Sequence, residues 1–195
     1  MVKTKNLLKT LSACAVVLAL GGCGGSDDDG SIVACFTADR TVNYGLTTLN
    51  APSGSVGANR SFVGPMTYGG QDVTGQKFFY PTSNSQYTET NYWRVASNGV
   101  TFVAQVNSNS VATPGSLFFP QNMSPGQTAT NSANERYTLI GFETISLAGK
   151  TFSNTCHIKA VDTKGNTEEQ WYAAGYGNIK QISSNGVINQ YSGDL

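Results

Sequence analysis

The chain has one histidine, His157, and it directly follows Cys156. A Cys–His dyad needs both side chains within hydrogen-bond reach. Neighbours in an extended segment point to opposite faces, so this pair reads as a surface histidine beside a structural cysteine. A Ser–His–Asp site would also need His157, and no G-x-S-x-G turn occurs. Zinc would need more His or free Cys than the chain supplies, and Gly69-Gly70 lacks the strand–loop–helix setting of a phosphate cradle. Glu89, Glu135, Glu143, Glu168 and Glu169 offer carboxylate pairs of the glycosidase kind, as any acidic chain does. The sequence thus points away from catalysis, with no catalytic residue, metal set or cofactor site assigned.

The N-terminal segment carries chemistry of another kind. Lys3, Lys5 and Lys9 precede an apolar run from Leu11 to Leu20, closed by Leu20-Gly21-Gly22-Cys23. The run is too short to span a bilayer comfortably, and its order is that of an export signal. These four residues resemble the lipobox of bacterial lipoproteins; an ordinary secretory peptide is the competing reading. The resemblance implies cleavage before Cys23, a diacylglycerol on its sulfur, and handling by the lipoprotein processing and sorting machinery. One acyl chain binds a membrane marginally and two or three bind it stably, at about 0.8 kcal/mol per buried methylene. Gly24 rather than Asp follows the cysteine, which by the same resemblance implies the outer membrane, facing the periplasm or the surface. Residues 1–22 are therefore expected to be a signal peptide. Residues 23–30 are then a lipidated Cys23 and a flexible tether, whose three aspartates lack the ligand spacing of a calcium loop.

Loss of three signal lysines leaves nine Lys and Arg against twelve Asp and Glu, a formal net charge of −3. No basic stripe suggests nucleic acid as a partner. Cys14 departs with the signal, so Cys35 and Cys156 remain as an even pair in an oxidising compartment. A disulfide is expected, with two free thiols as the alternative.

Residues 31–195 read as a single all-β domain of antiparallel hairpins, forming a curved sheet, half-barrel or barrel. The clearest hairpin is Asn91 to Val106, with Asn98-Gly99 expected to form a type I′ turn. On its return strand, Val100, Phe102, Ala104 and Val106 are expected to share one face. A second hairpin on the same recipe turns at Asn185-Gly186. The segment 112–134 is rich in Pro, Gly, Asn and Ser and reads as a long connection with one short strand at 117–119. From Arg136 onward a meander follows, in which Phe152, Cys156, Ile158 and Ala160 are expected on one face. No window of a dozen residues beyond the signal shows a helical period.

Within the meander, Gly141, Glu143, Ile145, Leu147, Ala148, Gly149, Phe152, Asn154 and Cys156 are followed by Trp171, Tyr172, Ala173, Gly175, Tyr176, Gly177, Ile179 and Lys180. This spacing resembles a unit of TapB-like envelope lipoproteins, which often have proline where Leu147 stands. The resemblance implies a concave sheet similar to lipoprotein carriers and acceptors of the LolA/LolB type, and it brings no catalytic residues. A structural reading of the same residues also holds, with Gly175 and Gly177 permitting a bulge or close backbone approach.

The aromatic residues at 78–80, 87, 92 and 93 are read as core. If they line a concave face instead, Phe78, Tyr80, Tyr92, Trp93, Trp171 and Tyr172 would bind a ligand. The expected function is a non-catalytic binding module for a hydrophobic or amphipathic envelope ligand. The alternative is an assembly accessory that pairs an edge strand with an envelope protein; a hydrolase is the weakest reading.

Overall fold

The computed structural model describes residues 30–53, 57–81, 87–108, 110–112 and 116–195. The expected signal peptide, Cys23 and all but the last residue of the tether lie outside them.

A short helix, α1 (Ile32–Phe36), leads into β1 (Val42–Leu49), β2 (Arg60–Tyr68), β3 (Gln71–Tyr80), β4 (Tyr87–Ala96) and β5 (Gly99–Asn107). Then come β6 (Ser110–Ala112), β7 (Leu117–Pro120), β8 (Thr128–Thr130), β9 (Arg136–Leu147) and β10 (Lys150–Val161). The chain finishes with β11 (Thr167–Ala173), β12 (Gly177–Ile182) and β13 (Ile188–Asp194). Every pairing is antiparallel, in the order β6-β5-β4-β3-β2-β1-β13-β12-β11-β10-β9-β8, with β7 joined to β5 beside β6. The sheet curls into a nearly closed barrel. At its seam β7 packs against β8 without a ladder.

Alternation explains the strands. In β1, Tyr44 and Leu46 are buried while Asn43, Thr47 and Leu49 are exposed, and a period of two puts the first set in the lumen. α1 needs a different account. Five residues cannot hold a helix in water, and Ser31 offers no side-chain cap. Burial of Ile32, Cys35 and Phe36 holds it. The Phe36 ring lies 4.6 Å from Trp93, 4.4 Å from Tyr172 and 5.8 Å from Phe119. α1 therefore plugs one end of the barrel, the end that carries the β2–β3, β4–β5, β9–β10 and β11–β12 turns. Cys35 is bonded to Cys156 of β10, with Cα atoms 6.0 Å apart and 121 positions between them in sequence.

Midway along the lumen, Gln76 ties the walls together. Its Nε2 donates to Tyr44 Oη (2.7 Å), Ser61 Oγ (3.0 Å) and the carbonyl of Asn178 (3.0 Å). Its Oε1 accepts from the Asn178 N–H at 2.8 Å. All four residues are buried, and a fully satisfied polar network of this kind fixes the packing around it.

Three local expectations are corrected. Asn98 and Asn185 do not take positive φ, so neither Asn-Gly pair makes a type I′ turn; Gly186 alone does the turning in the second hairpin, with φ +79°. Paired left-handed residues occur instead at Gly69-Gly70 and Ala148-Gly149. A bulge between Tyr92 and Trp93 in the β4–β5 register pairs Trp93 with Phe102 but Tyr92 with Ala104. Val100 and Phe102 therefore lie on the lumen face and Ala104 and Val106 on the other. A bulge at residues 153–154, with Asn154 at φ +52°, likewise separates Phe152 from Cys156, Ile158 and Ala160.

Candidate functional site

The expected ligand-binding aromatics do not form one platform. Trp93 and Tyr172 are in the lumen and are covered by Phe36. Phe78 is buried in a second core cluster with Tyr44 and Ile179. Tyr92 faces outward and stacks on Tyr68 at 4.5 Å. Trp171 points outward by register, yet it is buried in the same second cluster, leaving Tyr80 half-exposed in the lumen. Of the residues read as core at 78–80, 87, 92 and 93, Phe78 and Trp93 are buried, while Phe79, Tyr80, Tyr87 and Tyr92 are half-buried.

Trp171 belongs to a polar cluster on the outer face. Cross-strand pairing sets His157 beside Trp171 and Trp171 beside Lys180. The imidazole stacks on the indole at 4.1 Å, and the Lys180 ammonium lies 4.4 Å from the indole ring centre. His157 Nδ1 meets Glu143 Oε1 at 2.7 Å and Nε2 meets Glu169 Oε2 at 3.0 Å. Trp171 Nε1 donates to the same Glu143 oxygen at 3.0 Å. Among the described residues no group of three or more His, Cys, Asp or Glu is placed to hold a metal; hydrogen bonds and stacking knit this cluster together.

The lumen end opposite the plug has a different character. Register carries Gln76, Asn91 and Gln105 across adjacent strands on the lumen face, with Phe78, Glu89 and Asn107 as the next row outward. From the facing wall, Ala160 pairs with both Tyr137 and Glu168, and Ile158 pairs with Gln170. A cavity of about 290 Å³ opens against this second wall, lined by Glu135, Tyr137, Ala160, Glu168, Gln170 and Ser183 among others, all from the segment β9 to β12 and its flanking turns. Gln170 Nε2 donates to Glu168, and Tyr137 Oη donates to Glu135 at 3.1 Å.

Burial dominates the electrostatics at this end of the lumen, and the charge of Glu168 adds to it. Burial raises the Glu89 carboxyl above the usual carboxylate range, Glu168 pushes it the same way, and hydrogen bonds from Gln105 and Asn91 oppose the rise. The phenols of Tyr80, Tyr137 and Tyr172 are raised chiefly by burial, and Glu168 adds to each. One carboxylate is thus felt by groups on β3, β4, β9 and β11. Among the described strand residues no cation answers it: Arg60, Lys77, Arg94, Arg136, Lys159 and Lys180 occupy the outward register, and Lys150, at the plug end of β10, pairs with Asp194.

Sequence reasoning named Glu89 and Glu168 only among interchangeable carboxylates. Parity would have singled them out, because Glu89 lies four positions before Trp93 and Glu168 four before Tyr172. Each therefore shares the face of a core aromatic. Comparison with protein-family models, curated proteins and solved structures gives no match.

Proposed function

We propose that this chain is an outer-membrane lipoprotein anchored through lipid on Cys23, and that its barrel is a non-catalytic binding module. The supporting observation is the asymmetry of the lumen: an aromatic plug stapled by a disulfide at one end, and a polar chamber at the other. Such a shape is a receptacle with one mouth. The apolar part of the lumen is occupied by Phe36 and its neighbours, so the part of the ligand recognised at the mouth is polar. An amphipathic envelope ligand would present its head group there.

Native mass spectrometry of the full chain, purified in detergent and then extracted with organic solvent, tests the reading. A discrete co-purifying mass that extraction removes supports it; a clean mass from every preparation counts against it.

A second reading rests on the seam. β8 and the β6–β7 side of β5 form no ladder with each other, and the neighbouring strands carry exposed Phe118 and Ile140. An extended segment of an envelope protein pairing at that edge would close the barrel.

A further inference from the structure

We propose that the cavity at the open end is a site for one neutral sugar ring, whose hydroxyls are held by Glu135, Glu168 and Gln170 and whose face lies against Tyr137. This rests on the receptacle reading above and names the ligand class for it.

The first argument is the lining. Of the eleven residues that line the cavity, all but Ala160 and Val161 carry polar side chains, so its ligand is polar. Asn166, Thr167, Gln170, Ser183 and Ser184 offer donors as well as acceptors, beside carboxylates that only accept. An anion would meet those carboxylates, and a simple cation would leave the donors unanswered. A hydroxyl donates and accepts at once, so a ring of hydroxyls answers the whole set.

The second argument is that the polar groups are already held in place. Asn131 Nδ2 and Tyr137 Oη both donate to Glu135 Oε2, at 2.7 and 3.1 Å. Gln170 donates to Glu168 Oε1 and accepts from Tyr172 Oη at 2.7 Å. Each glutamate is thus fixed through one oxygen. The other, Glu135 Oε1 or Glu168 Oε2, has no side-chain partner among the described residues. Acceptors fixed in this way lose little freedom when a ligand arrives, which favours binding. Asp162 is different: its oxygens are spent on Lys164 and Asn166 of its own turn.

The third argument is the aromatic wall and the size. Tyr137 is half-buried, held at its hydroxyl by Glu135 and at its ring by an edge-to-face contact with Phe119 at 6.2 Å. A sugar ring has an apolar face of C–H groups and a polar rim. The first packs on an aromatic ring while the second meets amides and carboxylates, the mixture found here. The cavity of about 290 Å³ lies at the small end of the range for ligand sites, which favours a single ring over an enclosed oligosaccharide.

Nuclear magnetic resonance titration of the full chain, purified in a phosphocholine detergent so that no sugar head group competes, tests the proposal. The probes are D-glucose, D-galactose and D-mannose, beside tetrahydropyran-2-methanol, which has the same ring without its hydroxyls. One or more of the hexoses is expected to bind, and tetrahydropyran-2-methanol is not. Tyr137→Leu and Glu168→Ala should each weaken binding roughly tenfold or more, while Asp72→Asn, at an exposed position by the β2–β3 turn, should leave it unchanged. Two substitutions on different strands guard against one variant failing to fold, and a melting curve of each identifies such a failure. Tighter binding of the octyl than of the methyl glycoside of that hexose supports the proposal with a glycolipid as the source, and equal binding supports it with a free sugar or glycan end. No hexose bound by the folded parent, equal binding of tetrahydropyran-2-methanol, or hexose binding indifferent to both substitutions would overturn the proposal. A co-purifying mass on a chain that binds no hexose would overturn it while leaving the receptacle reading in place. A chain with neither loses both.

Discussion

Cys156 and His157 are adjacent in the chain and lie on opposite faces of the sheet. Cys156 is wholly buried on the lumen face and bonded to Cys35. His157 lies outside, its ring nitrogens on Glu143 and Glu169. The period of two in β10 thus gives one residue to the plug and the next to an outer cluster, and it precludes the dyad that their adjacency suggests.

The plug should be the most costly part to loosen. Replacing both Cys35 and Cys156 by Ala is expected to lower stability by up to about 4–5 kcal/mol, the chain-entropy figure for a loop of this length. Phe36→Ala, which empties the space between Trp93 and Tyr172, is expected to lower it by about 3–5 kcal/mol. Urea unfolding with and without reductant checks both. The parent and Phe36→Ala should respond to reductant, and the double cysteine variant should not.

Gln76 should behave as the strut of the lumen. Gln76→Leu leaves Tyr44 Oη, Ser61 and the Asn178 N–H without their shared partner, at an expected cost of about 2–4 kcal/mol. Gly177→Ala should also destabilise, because its Cβ would lie 2.5 Å from Gln76 Oε1 and φ is +62°. Denaturant midpoints of the two single variants and the double variant measure this. The double should cost less than the sum, since both act on one contact.

On the outer face, Glu143→Ala removes the acceptor of both the Trp171 indole and His157. Its side chain is 46% exposed, so the expected loss is modest, about 1 kcal/mol. Glu169→Ala should cost less, since its partner in this cluster is His157 alone. Tryptophan fluorescence separates the two variants: emission should move to the red in Glu143→Ala and hold in Glu169→Ala.

Glu89 gives a pH dependence of definite sign. Its folded pKa is raised, mainly by burial, so the folded state binds this proton more tightly than the unfolded state does. The ionised group therefore costs stability above its folded pKa, and the cost fades as pH falls toward the ordinary glutamate value of about 4.3. Glu89→Gln should be at least as stable as the parent at neutral pH, with the gap closing toward pH 4. Asp194 acts in the opposite direction. Its carboxyl is lowered mainly by its hydrogen bond from Lys150, so its contribution is present above the ordinary carboxylate range and is lost in acid. Thermal melts of the parent and Glu89→Gln across pH 4 to 8 read the difference.

Much of the framework was legible from alternation and turn residues. The meander expected from Arg136 onward is β9 to β13, and the short strand expected at 117–119 is β7 (Leu117–Pro120). The expected close approach at Gly177 is the one to Gln76. What sequence could not give was whatever depends on curvature. Bulges at residues 103 and 153–154 shift the alternation by one, which is why Ala104 and Phe152 changed faces. α1 has no period to detect in five residues and exists because the barrel buries it. Parity places Glu89 and Glu168 on the face of a core aromatic, but that these two positions, 79 apart in sequence, face one lumen depends on the closure of the sheet.

The central claim is that the open end of the barrel holds a ligand, and Ala160→Trp tests it most directly. Ala160 lines the cavity between Tyr137 and Glu168, which neither α1 nor Gln76 lines, so an indole there should fill its space. Parent and variant would be purified in parallel and compared by native mass spectrometry, with melting curves to show that both are folded. The account predicts a bound mass on the parent that is lost from a folded Ala160→Trp chain. The same mass on both chains, or none on either, would contradict it.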